Sequence, residues 1–451
     1  MFKTGEILKA TGGKLLAGSP ESVLGGVSLD SRTIKKGGIF IAINGRNFDG
    51  HDFIDKAIQK GAACVVSERG MRLDRIKGAA FIKVNNSQKA LGGIASYHRM
   101  RFDLPFIAVT GSNGKTTLKD MVAWVLSARY QVIKNEGTKN NQIGLPLALL
   151  GLNDKHQAAV LEIGTNHPGE VGYLAGIYKP NIGIITNIGP SHLEHFGNLE
   201  SVFKEKFSLI RNLSRPHLAI LNRDDKFLGP AVKKSGGRVF RVSFGFDNRS
   251  DFMASDVKEL GNGLGFRVNG HQGIVLNTFC RHNIYNALCA VAVARILGMD
   301  YRGIALRLRS FDFPRGRFKP LRRNKVNFID DTYNSNPLSL KSALDTFGNL
   351  ACHGRKIFIM GDMLELGGKE KAFHCQAGRD AARVSDVMIF TGRLCRFAAE
   401  EALRSSALKK IFICRDSSEA RKVLFKKVIP ESRDIILVKG SRLMRMEYIF
   451  S

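Results

Sequence analysis

The sequence predicts an α/β protein with three domains: a mixed N-terminal domain followed by two domains built on parallel sheets. Two long stretches alternate short apolar segments with segments of helical periodicity, which indicates parallel sheets joined by right-handed crossovers. A glycine-rich segment lies where the first of these stretches passes from an apolar strand to a helix. A Pro/Gly break, FDFPRGRF, separates the two stretches. The length of 451 residues agrees with about three domains.

The N-terminal domain is predicted over residues 1–103. It contains short β-like runs, GGIFIAI and AACVVSE, and turn sequences such as NFDGHD. These features indicate a mixed α/β domain.

The central domain is predicted over residues 104–312. A helix is expected at residues 283–297, NIYNALCAVAVARIL. The candidate strands are FIAVT, QVIK, AAVLEIG, IGIITNIG and LAILN. Helical patterning after the first strand places five apolar residues on one face: Leu118, Met121, Val122, Val125 and Leu126.

The C-terminal domain is predicted over residues 313–451. Its candidate strands KIFIMG, VMIFTG, IFICRD and IILVKG are separated by helical segments. This regular alternation indicates a Rossmann-like parallel sheet.

The segment PFIAVTGSNGKTTLKD predicts a phosphate-binding loop. A strand that ends in glycine-rich turns and opens a helix presents backbone N–H groups to an anion. The pattern G-x-x-x-x-G-K-[ST] would place its first glycine at position 109, where Val109 stands, and Gly111 and Gly114 carry the turn instead. Lys115 can reach terminal phosphate oxygens, and the Thr116 hydroxyl can contact a magnesium ion. The loop predicts phosphate binding but names no reaction.

Two candidate metal ligands follow neighbouring strands. An apolar strand ends in Glu162, whose carboxylate can hold magnesium in the nucleotide crevice or act as a cap or surface group. His192 follows another strand end and is a candidate second ligand. Lys204 and Lys206 come next; they lie about 200° apart around a helix, so they cannot both face the site.

The net charge of +29 suggests a nucleic-acid partner. However, basic residues are spread along the chain and do not alternate with aromatic ones, which favours a solvated basic surface that attracts polyanionic small substrates.

The seven cysteines include no C-x-x-C pair, which argues against a disulfide framework or structural zinc and for thiols in a reducing cytosol. Because we find no apolar run of membrane-spanning length and no signal-like N-terminus, we expect a cytoplasmic protein.

Several motifs together resemble the Mur ligases of peptidoglycan synthesis. TGSNGKTT, LEIGTNHPGE and HLEHFG with the following KEK carry the resemblance in the central domain, and the family's phosphate loop also lacks the first glycine. LDSRTIKKGGIFIAINGRNFDGHDFIDKA resembles the family's UDP-binding N-terminal domain, and RHNIYNALCA resembles its adenine-side helix. DDTYNSNPLS and LVKGSR are similar to its C-terminal domain. The resemblance spans nearly the whole chain.

The resemblance implies an ATP-dependent, ADP-forming amide ligase that works through an acyl phosphate. EIGTNHPGE, NNQIGLPLALL, DDTYNSNP and MGDMLELG favour the family member that adds D-alanyl-D-alanine to UDP-N-acetylmuramoyl-tripeptide. The Asp-Asn-Pro-Arg motif that sister enzymes often carry for the diamino acid does not occur. The implied cofactors are ATP and two magnesium ions, and the implied partners are the two peptide substrates. We also expect a cytoplasmic monomer without nucleic acid or membrane insertion.

The resemblance further implies roles for individual residues. Counted from His192, Lys206 rather than Lys204 falls where the family has a carbamylated lysine, and Lys115, His192 and Lys206 are the implied catalytic residues. The implied ATP-binding residues are Thr110, Gly111, Ser112, Asn113, Gly114, Lys115, Thr116, Thr117, Asn283, Asn286, Arg317 and Asp331. The implied metal ligands are Thr116, Glu162, His192 and Lys206. The implied substrate-binding residues are Asp30, Ser31 and Arg32 for the uridine diphosphate, and Asn140 and Asn141 for the sugar-peptide.

One position departs from the family pattern. Gly-Asn-x-Asn-Asn usually precedes the Ile-Gly-x-Pro turn, but here the segment is GTKNNQIG, with Thr138 in place of the first Asn. A hydroxyl keeps one hydrogen bond but not both functions of an amide.

Other functions remain as alternatives. Another Mur-type amino-acid ligase is one, and folylpolyglutamate synthase also makes amides through acyl phosphates but lacks an N-terminal domain like SLDSRTIKKGG. A nucleic-acid-stimulated P-loop ATPase usually has a strand ending in Asp and an intact first glycine, both missing here. A degraded ligase kept as a scaffold is disfavoured because Lys115, Glu162, His192 and Lys206 are all present.

Overall fold

Three sheets of five, nine and six strands frame three successive α/β domains in the computed structural model of the protein, and a two-stranded ribbon accompanies the first. The predicted fold class is confirmed. The described residues are 1–45, 47–72, 76, 78–233, 239–247, 249–261, 263–271, 273–406 and 409–450.

The N-terminal domain has a sheet with the order β2-β7-β6-β5-β4, in which β2 is antiparallel to β7 and the other pairs are parallel. Its strands are short, as the sequence predicts. Its elements are β1 (Phe2–Lys3), α1 (Thr4–Thr11), β2 (Lys14–Ala17), β3 (Val23–Leu24), β4 (Val27–Ser28), β5 (Ile39–Ile41), a 3-10 turn (Gly50–Phe53), α2 (Ile54–Gln59), β6 (Cys64–Ser67), β7 (Ala80–Lys83) and α3 (Ser87–Arg99).

The central domain begins with the strand and helix that flank the predicted phosphate loop. Its strands up to β12 each lie within the apolar segments expected from the sequence. Its elements are β8 (Phe106–Thr110), α4 (Lys115–Leu126), β9 (Val132–Lys134), α5 (Gly144–Leu149), β10 (Ala158–Glu162), α6 (Glu170–Tyr178), β11 (Ile182–Ile185), α7 (Leu193–Phe196), α8 (Leu199–Arg211), β12 (Leu218–Asn222), α9 (Leu228–Lys233), β13 (Phe240–Gly245), β14 (Phe252–Leu260), β15 (Gly263–Val268), β16 (Gly273–Leu276), α10 (His282–Ile296) and α11 (Tyr301–Arg309).

The central sheet has the order β16-β15-β14-β13-β12-β11-β8-β10-β9. Strands β8 to β14 run parallel, with β8 between β11 and β10, whereas β15 pairs antiparallel with both β14 and β16. Alternate residues of β8 face opposite layers: Ile107 and Val109 pack with α4 and α10, and Phe106 and Ala108 pack with α5, α6 and α8. Burial on both faces explains why the strand is uniformly apolar. The antiparallel extension was not expected from the sequence.

The C-terminal domain is a Rossmann-like sheet with the order β17-β18-β22-β19-β20-β21, antiparallel only at β17. The four strands expected from the sequence are β19 to β22. Its elements are β17 (Lys319–Arg323), β18 (Val326–Asp331), α12 (Pro337–Asn349), β19 (Lys356–Gly361), a 3-10 turn (Gly367–Lys369), α13 (Glu370–Val384), β20 (Val387–Thr391), α14 (Cys395–Ser405), β21 (Lys410–Cys414), α15 (Ser417–Val423), a π-helical turn (Leu424–Val428), β22 (Ile435–Lys439) and 3-10 turns (Arg442–Met444, Met446–Phe450).

The N-terminal domain packs closely on the central one through α3. Ala95 of α3 is fully buried in the same apolar core as Phe106. Arg99, near the end of α3, lies 3.5 Å from the centroid of the Phe106 ring and donates hydrogen bonds to the carbonyls of Tyr178 and Lys179, at 2.9 and 3.0 Å. These two domains therefore share a hydrophobic core.

None of the helices among the described residues combines the length and the apolar character that crossing a membrane requires.

Candidate active site

A cleft of about 410 Å³ lies between the central and C-terminal domains, at the carboxyl ends of β8 and β10. Open α/β sheets bind nucleotides at this edge. The residues predicted from the sequence that line it are Ser112, Asn113, Gly114, Lys115, Thr116, Thr117, Asn140, Glu162, His192, Asn283, Asn286, Arg317 and Asp331. Thr138, which departs from the family pattern, lines the cleft as well.

The backbone of the phosphate loop explains which glycines it needs. Gly111 has a φ of 144°, and a Cβ there would come within 1.9 Å of the Thr186 hydroxyl. Gly114 has a φ of 81°, which side chains rarely adopt, and a Cβ there would lie 3.0 Å from Asn286 Oδ1. Position 109 lies inside strand β8, where Val109 is fully buried. The turn therefore depends on Gly111 and Gly114, and Val109 fits the position that usually carries a glycine.

The loop is held by the segment that follows β11. The backbone N–H groups of Ser112 and Asn113 donate to the backbone and side-chain oxygens of Asn187, at 2.9 and 3.0 Å. The Ser112 hydroxyl donates to the Gly189 carbonyl at 2.9 Å. The loop leads into α4, and the first N–H groups of a helix have no partner within it. The arrangement presents donors for an anion.

Lys115 lies at the start of α4 and folds back over the loop. Its Nζ donates to the Gly111 carbonyl at 2.9 Å and to the Ser112 carbonyl at 3.3 Å. Burial, together with the nearby charge of Arg317, lowers the pKa of Lys115, and Glu162 opposes this effect. A phosphate that replaced the two carbonyls as partner would compensate for that desolvation.

Thr116 and Glu162 form the polar centre of the cleft. The Thr116 hydroxyl donates to Glu162 Oε2 at 2.7 Å, and Asn140 Nδ2 donates to Glu162 Oε1, also at 2.7 Å. Arg317, from the C-terminal domain, donates to the Thr116 hydroxyl at 3.0 Å and stacks its guanidinium 3.8 Å from the centroid of the Tyr333 ring. A hydroxyl and a carboxylate at this distance are hard oxygen donors of the kind that magnesium prefers.

A second set of residues holds the backbone of Glu162. Asn135 Oδ1 accepts from the Glu162 backbone N–H at 2.9 Å, and its Nδ2 donates to the Glu162 carbonyl at 3.1 Å. Lys119 is fully buried and donates to the Asn135 carbonyl at 2.6 Å. Sequence reasoning missed both residues. The available signal was a lysine on the otherwise apolar face of α4.

His192 precedes α7 and meets the C-terminal domain. Its Nδ1 lies 2.6 Å from Glu365 Oε2. The contact with His192 lowers the pKa of Glu365, and burial opposes the change. The rings of His167 and His195 lie 4.2 Å apart between centroids, and both contribute to the electrostatic environment of Glu365. Glu365 was not identified from the sequence.

The two lysines of α8 have opposite environments. Lys206 is buried, and none of the described residues accepts a hydrogen bond from its Nζ. Burial and then the nearby charge of Lys115 lower the pKa of Lys206 to about 7. Lys204 is exposed, with its Nζ 3.8 Å from Glu200 Oε1. Lys206 is thus the lysine whose neutral amine is available near neutral pH.

Asn283 and Asn286 lie on one buried face of α10 at the far end of the cleft. Asn286 Nδ2 donates to Asn283 Oδ1 at 2.9 Å, and Asn283 Nδ2 lies 3.4 Å from the Thr278 hydroxyl. Burial lowers the pKa of His282, which lines the same end of the cleft. A neutral, amide-rich surface of this kind suits a nucleobase edge.

Asp331 is held by a buried lysine. Lys439 Nζ lies 2.6 Å from Asp331 Oδ2 and donates to the Asn334 carbonyl at 3.0 Å. The backbone N–H of Phe318 donates to Asp331 Oδ1 at 3.0 Å. Burial raises the pKa of Asp331, and Lys439 opposes the change. Lys439 lies in LVKGSR, but its role as the partner of Asp331 was not expected.

Several predicted residues, Lys206 among them, do not line the cleft. Thr110 is buried and donates its hydroxyl to the Ile163 carbonyl at 3.0 Å, and Gly111 contributes only its carbonyl to Lys115. Asn141 Oδ1 accepts from the Ile143 and Gly144 N–H groups, at 3.1 and 2.8 Å, at the start of α5.

The N-terminal triad Asp30, Ser31 and Arg32 also lies outside the cleft. Arg32 Nη2 donates to Asp30 Oδ2 at 2.7 Å, and this contact lowers the pKa of Asp30 to about 2. Ser31 is buried. The structure therefore places these residues in the N-terminal domain, apart from the phosphate loop.

Three domain models of the Mur ligase family match this chain. The model of the catalytic domain matches residues 24–99, that of the middle domain residues 109–294, and that of the glutamate ligase domain residues 316–442. The UDP-N-acetylmuramoyl-tripeptide–D-alanyl-D-alanine ligase of Bacillus subtilis (strain 168) is 31% identical over 436 residues, which cover 95% of this chain and 93% of that protein.

Solved structures of Mur ligases are also similar to this chain. A crystal structure of MurF from Acinetobacter baumannii superposes with a TM-score of 0.89 at 30% identity, covering 99% of this chain and 97% of that one. The crystal structure of MurF ligase from Thermotoga maritima in complex with ADP superposes with a TM-score of 0.82 at 27% identity, covering 95% and 97%. The similarity extends over all three domains.

Proposed function

The chain belongs to the Mur ligase family, and on this basis we propose that it joins D-alanyl-D-alanine to UDP-N-acetylmuramoyl-tripeptide in an ATP-dependent reaction. The observation that carries the proposal is the full-length similarity to UDP-N-acetylmuramoyl-tripeptide–D-alanyl-D-alanine ligases, combined with a cleft in which Thr116, Glu162 and Arg317 meet. The reaction is that of an ADP-forming ligase.

ATP is proposed to bind along the cleft from Asn286 to the phosphate loop. The amides of Asn283 and Asn286 would face adenine, while the loop, Lys115 and Arg317 would face the phosphates. Asp331 would reach the nucleotide from the C-terminal domain. These roles are supported by the position of each side chain in the cleft lining.

Magnesium is proposed to bind at Thr116 and Glu162, with a second ion at His192 and Lys206. The Thr116 hydroxyl and Glu162 carboxylate, 2.7 Å apart, are suitable oxygen donors for the first ion. When bound, the ions would neutralise charge on the phosphates of ATP. Lys206 would join the donor set as a carbamate, which replaces its ammonium with an anionic oxygen donor.

The environment of Lys206 supports this modification. An amine adds to carbon dioxide only in its neutral form, and burial lowers the pKa of Lys206 to about 7. Exposed Lys204 has no such environment.

The proposed reaction has two steps. A carboxylate oxygen at the end of the tripeptide bonds to the γ-phosphorus of ATP as the bond to the β–γ bridging oxygen breaks, which releases ADP. The amino nitrogen of D-alanyl-D-alanine then bonds to the acyl carbon, the acyl–oxygen bond breaks, and inorganic phosphate leaves while the nitrogen loses its proton. Lys115 would stabilise charge on the transferring group. Contact between the central and C-terminal domains would exclude water, which otherwise hydrolyses the acyl phosphate.

The remaining assignments concern the peptide substrate. Asp30, Ser31 and Arg32 would hold the uridine diphosphate, and Asn140 would face the sugar-peptide. Asn141 would offer its Nδ2 to the sugar-peptide, because its Oδ1 accepts from two backbone N–H groups.

We also propose domain limits at residues 103/104 and 312/313, which lie in connections between elements.

The protein would act as a monomer without nucleic acid. The reaction would take place in the cytoplasm, where ATP is available.

The test is to incubate the purified protein with ATP, magnesium, D-alanyl-D-alanine and UDP-N-acetylmuramoyl-tripeptide ending in either meso-diaminopimelate or lysine. We expect release of ADP and a nucleotide-linked pentapeptide, identified by its mass. Parallel reactions with DNA or RNA in place of the peptides should not stimulate ATP hydrolysis. The proposal is wrong if both tripeptides leave ATP intact and no lengthened product forms.

A further inference from the structure

We propose that Glu365, carried by the C-terminal domain, is a positioning residue for His192 of the central domain. It holds the imidazole in the orientation and tautomer that bind a metal ion, so the metal site is completed only when the two domains meet. The inference rests on the proposed function, in which His192 serves a metal.

The contact favours one tautomer of the imidazole. His192 Nδ1 lies 2.6 Å from Glu365 Oε2 without the alignment of a full hydrogen bond, and a carboxylate this close stabilises a proton on Nδ1. Nε2 is then the nitrogen with a free lone pair. Histidines that bind metals commonly donate their other ring N–H to a carboxylate, which orients the ring and makes it a better ligand.

The backbone shows that both partners are held in place. His192 has a φ of 51° and Glu365 a φ of 65°, a region that residues other than glycine seldom adopt. Such conformations persist where the surrounding structure enforces them, and they cluster at functional sites. Here two of them meet across a domain boundary.

The loop that carries Glu365 is fixed at successive residues. The Met363 N–H donates to His374 Nε2 at 3.1 Å, and the Leu364 N–H donates to the Ser441 hydroxyl at 2.9 Å. The Glu365 carbonyl accepts from the Glu194 N–H in α7 at 3.3 Å. The loop therefore bridges the C-terminal domain and the short helix that follows His192.

His374 serves this loop rather than a ligand. Its Nε2 accepts from Met363, and its Nδ1 lies 2.8 Å from the Glu370 carbonyl, so both ring nitrogens have partners in the protein. Glu365, in contrast, lines the cleft and is half-exposed, so its carboxylate is accessible to the site.

The test measures metal binding directly. Full-length wild type and the variants Glu365→Ala and Glu365→Gln are titrated with Mn²⁺ in the presence of ADP, and free Mn²⁺ is followed by electron paramagnetic resonance. Glu400→Gln, which removes an exposed carboxylate from α14 of the same domain, is the matched control. We expect Glu365→Ala to weaken Mn²⁺ binding about tenfold or more. Glu365→Gln should have a smaller effect, because its amide oxygen can still lie against Nδ1, and Glu400→Gln should match wild type.

Kinetics separate this role from the alternative that Glu365 holds the ammonium group of the dipeptide. A positioning role lowers kcat and raises the magnesium requirement, with the KM for D-alanyl-D-alanine nearly unchanged. The inference is overturned if Glu365→Ala binds Mn²⁺ as tightly as wild type, if only the KM for the dipeptide rises, or if wild type binds no Mn²⁺. A wild-type protein that makes no pentapeptide would instead refute the proposed function.

Discussion

Asn113 in the phosphate loop and Asn336 at the start of α12 exchange side-chain hydrogen bonds in both directions. Asn336 Nδ2 donates to Asn113 Oδ1 at 2.7 Å, and Asn113 Nδ2 donates to Asn336 Oδ1 at 3.3 Å. Asn336 Oδ1 also accepts from the Ser339 N–H at 2.9 Å and so caps the helix. The pair joins the loop of one domain directly to a helix of the other.

Replacing Asn113 with alanine tests this connection without removing the cap of α12. Each neutral hydrogen bond contributes about 1 kcal/mol, so we expect kcat/KM for ATP to fall roughly 10- to 30-fold. Steady-state kinetics provide the measurement. Asn349→Ala, at the exposed far end of the same helix, is the control and should behave as wild type. Unchanged kinetics for Asn113→Ala would show that the amide pair does not support turnover.

Replacing Lys115 with alanine should abolish ligation and leave the fold intact. Among the described residues its Nζ donates only to the loop carbonyls of Gly111 and Ser112, so its loss removes charge stabilisation during transfer rather than a structural ion pair. We expect a loss of roughly 10³-fold or more in kcat with an unchanged circular dichroism spectrum. Lys134→Ala, at a more exposed position of the same domain, is the control. Normal turnover by Lys115→Ala would refute its role.

The two lysines of α8 should respond differently to substitution. We expect Lys206→Ala to be nearly inactive and to recover partly with a short-chain carboxylic acid, because the acid can replace a carbamate as the anionic ligand. Lys204→Ala should have a mild effect, since its side chain is exposed. Enzyme equilibrated with ¹³C-bicarbonate should show a carbamate signal that is missing in Lys206→Ala. If Lys204→Ala were the inactive variant, the assignment would be reversed.

Asp331 should have separable structural and functional roles. Asp331→Ala leaves the buried Lys439 without its carboxylate, which typically costs about 3–5 kcal/mol of unfolding free energy. The double variant Asp331→Ala/Lys439→Met removes both charges and should recover most of that stability while ligation stays low. Urea unfolding and ligation assays on the three variants give the comparison. Recovery of activity in the double variant would contradict a nucleotide role for Asp331.

Stability should fall in mild acid because of His374. Burial lowers the pKa of His374 below its ordinary value of 6.5, so the unfolded chain binds the proton more tightly than the folded one. Its contribution is complete above about pH 6.5 and is lost as the pH falls through the folded-state pKa. His374→Leu should flatten the decline in unfolding free energy between pH 7 and 5 by up to about 1.4 kcal/mol per pH unit. Urea unfolding across this range measures it, with exposed His353→Leu as the control. An identical slope in His374→Leu would contradict this prediction.

The sequence predicted those parts of the site that depend on local pattern. A strand, two glycines and Lys115 are contiguous, and Glu162 ends the next strand of the sheet, so alternation alone brings them to one edge. Asn141 has a contact that such reasoning does not reveal. An asparagine before a helix competes for backbone N–H groups, and its side-chain oxygen accepts from the turn that leads into α5.

Contacts between distant residues could not be predicted in the same way. Asn113 and Asn336 are 223 positions apart, and periodicity indicates which face a residue occupies but not which neighbour it meets. The same holds for Glu365 and His192, whose contact depends on how two domains dock. The antiparallel strands β14 to β16 were missed because the expected alternation of strands and helices gives no signal for edge hairpins.

The contacts of the central domain with the N-terminal domain and with the C-terminal domain differ in chemistry. Ala95 and Arg99 join the N-terminal domain to the central one through a shared apolar core. The C-terminal domain contacts the phosphate loop through Asn336, Thr116 through Arg317 and His192 through Glu365, all of them polar contacts. Water can replace polar partners at little net cost but cannot replace buried hydrocarbon. We therefore expect the polar contacts with the C-terminal domain to open when products leave, while the apolar contact with the N-terminal domain stays closed.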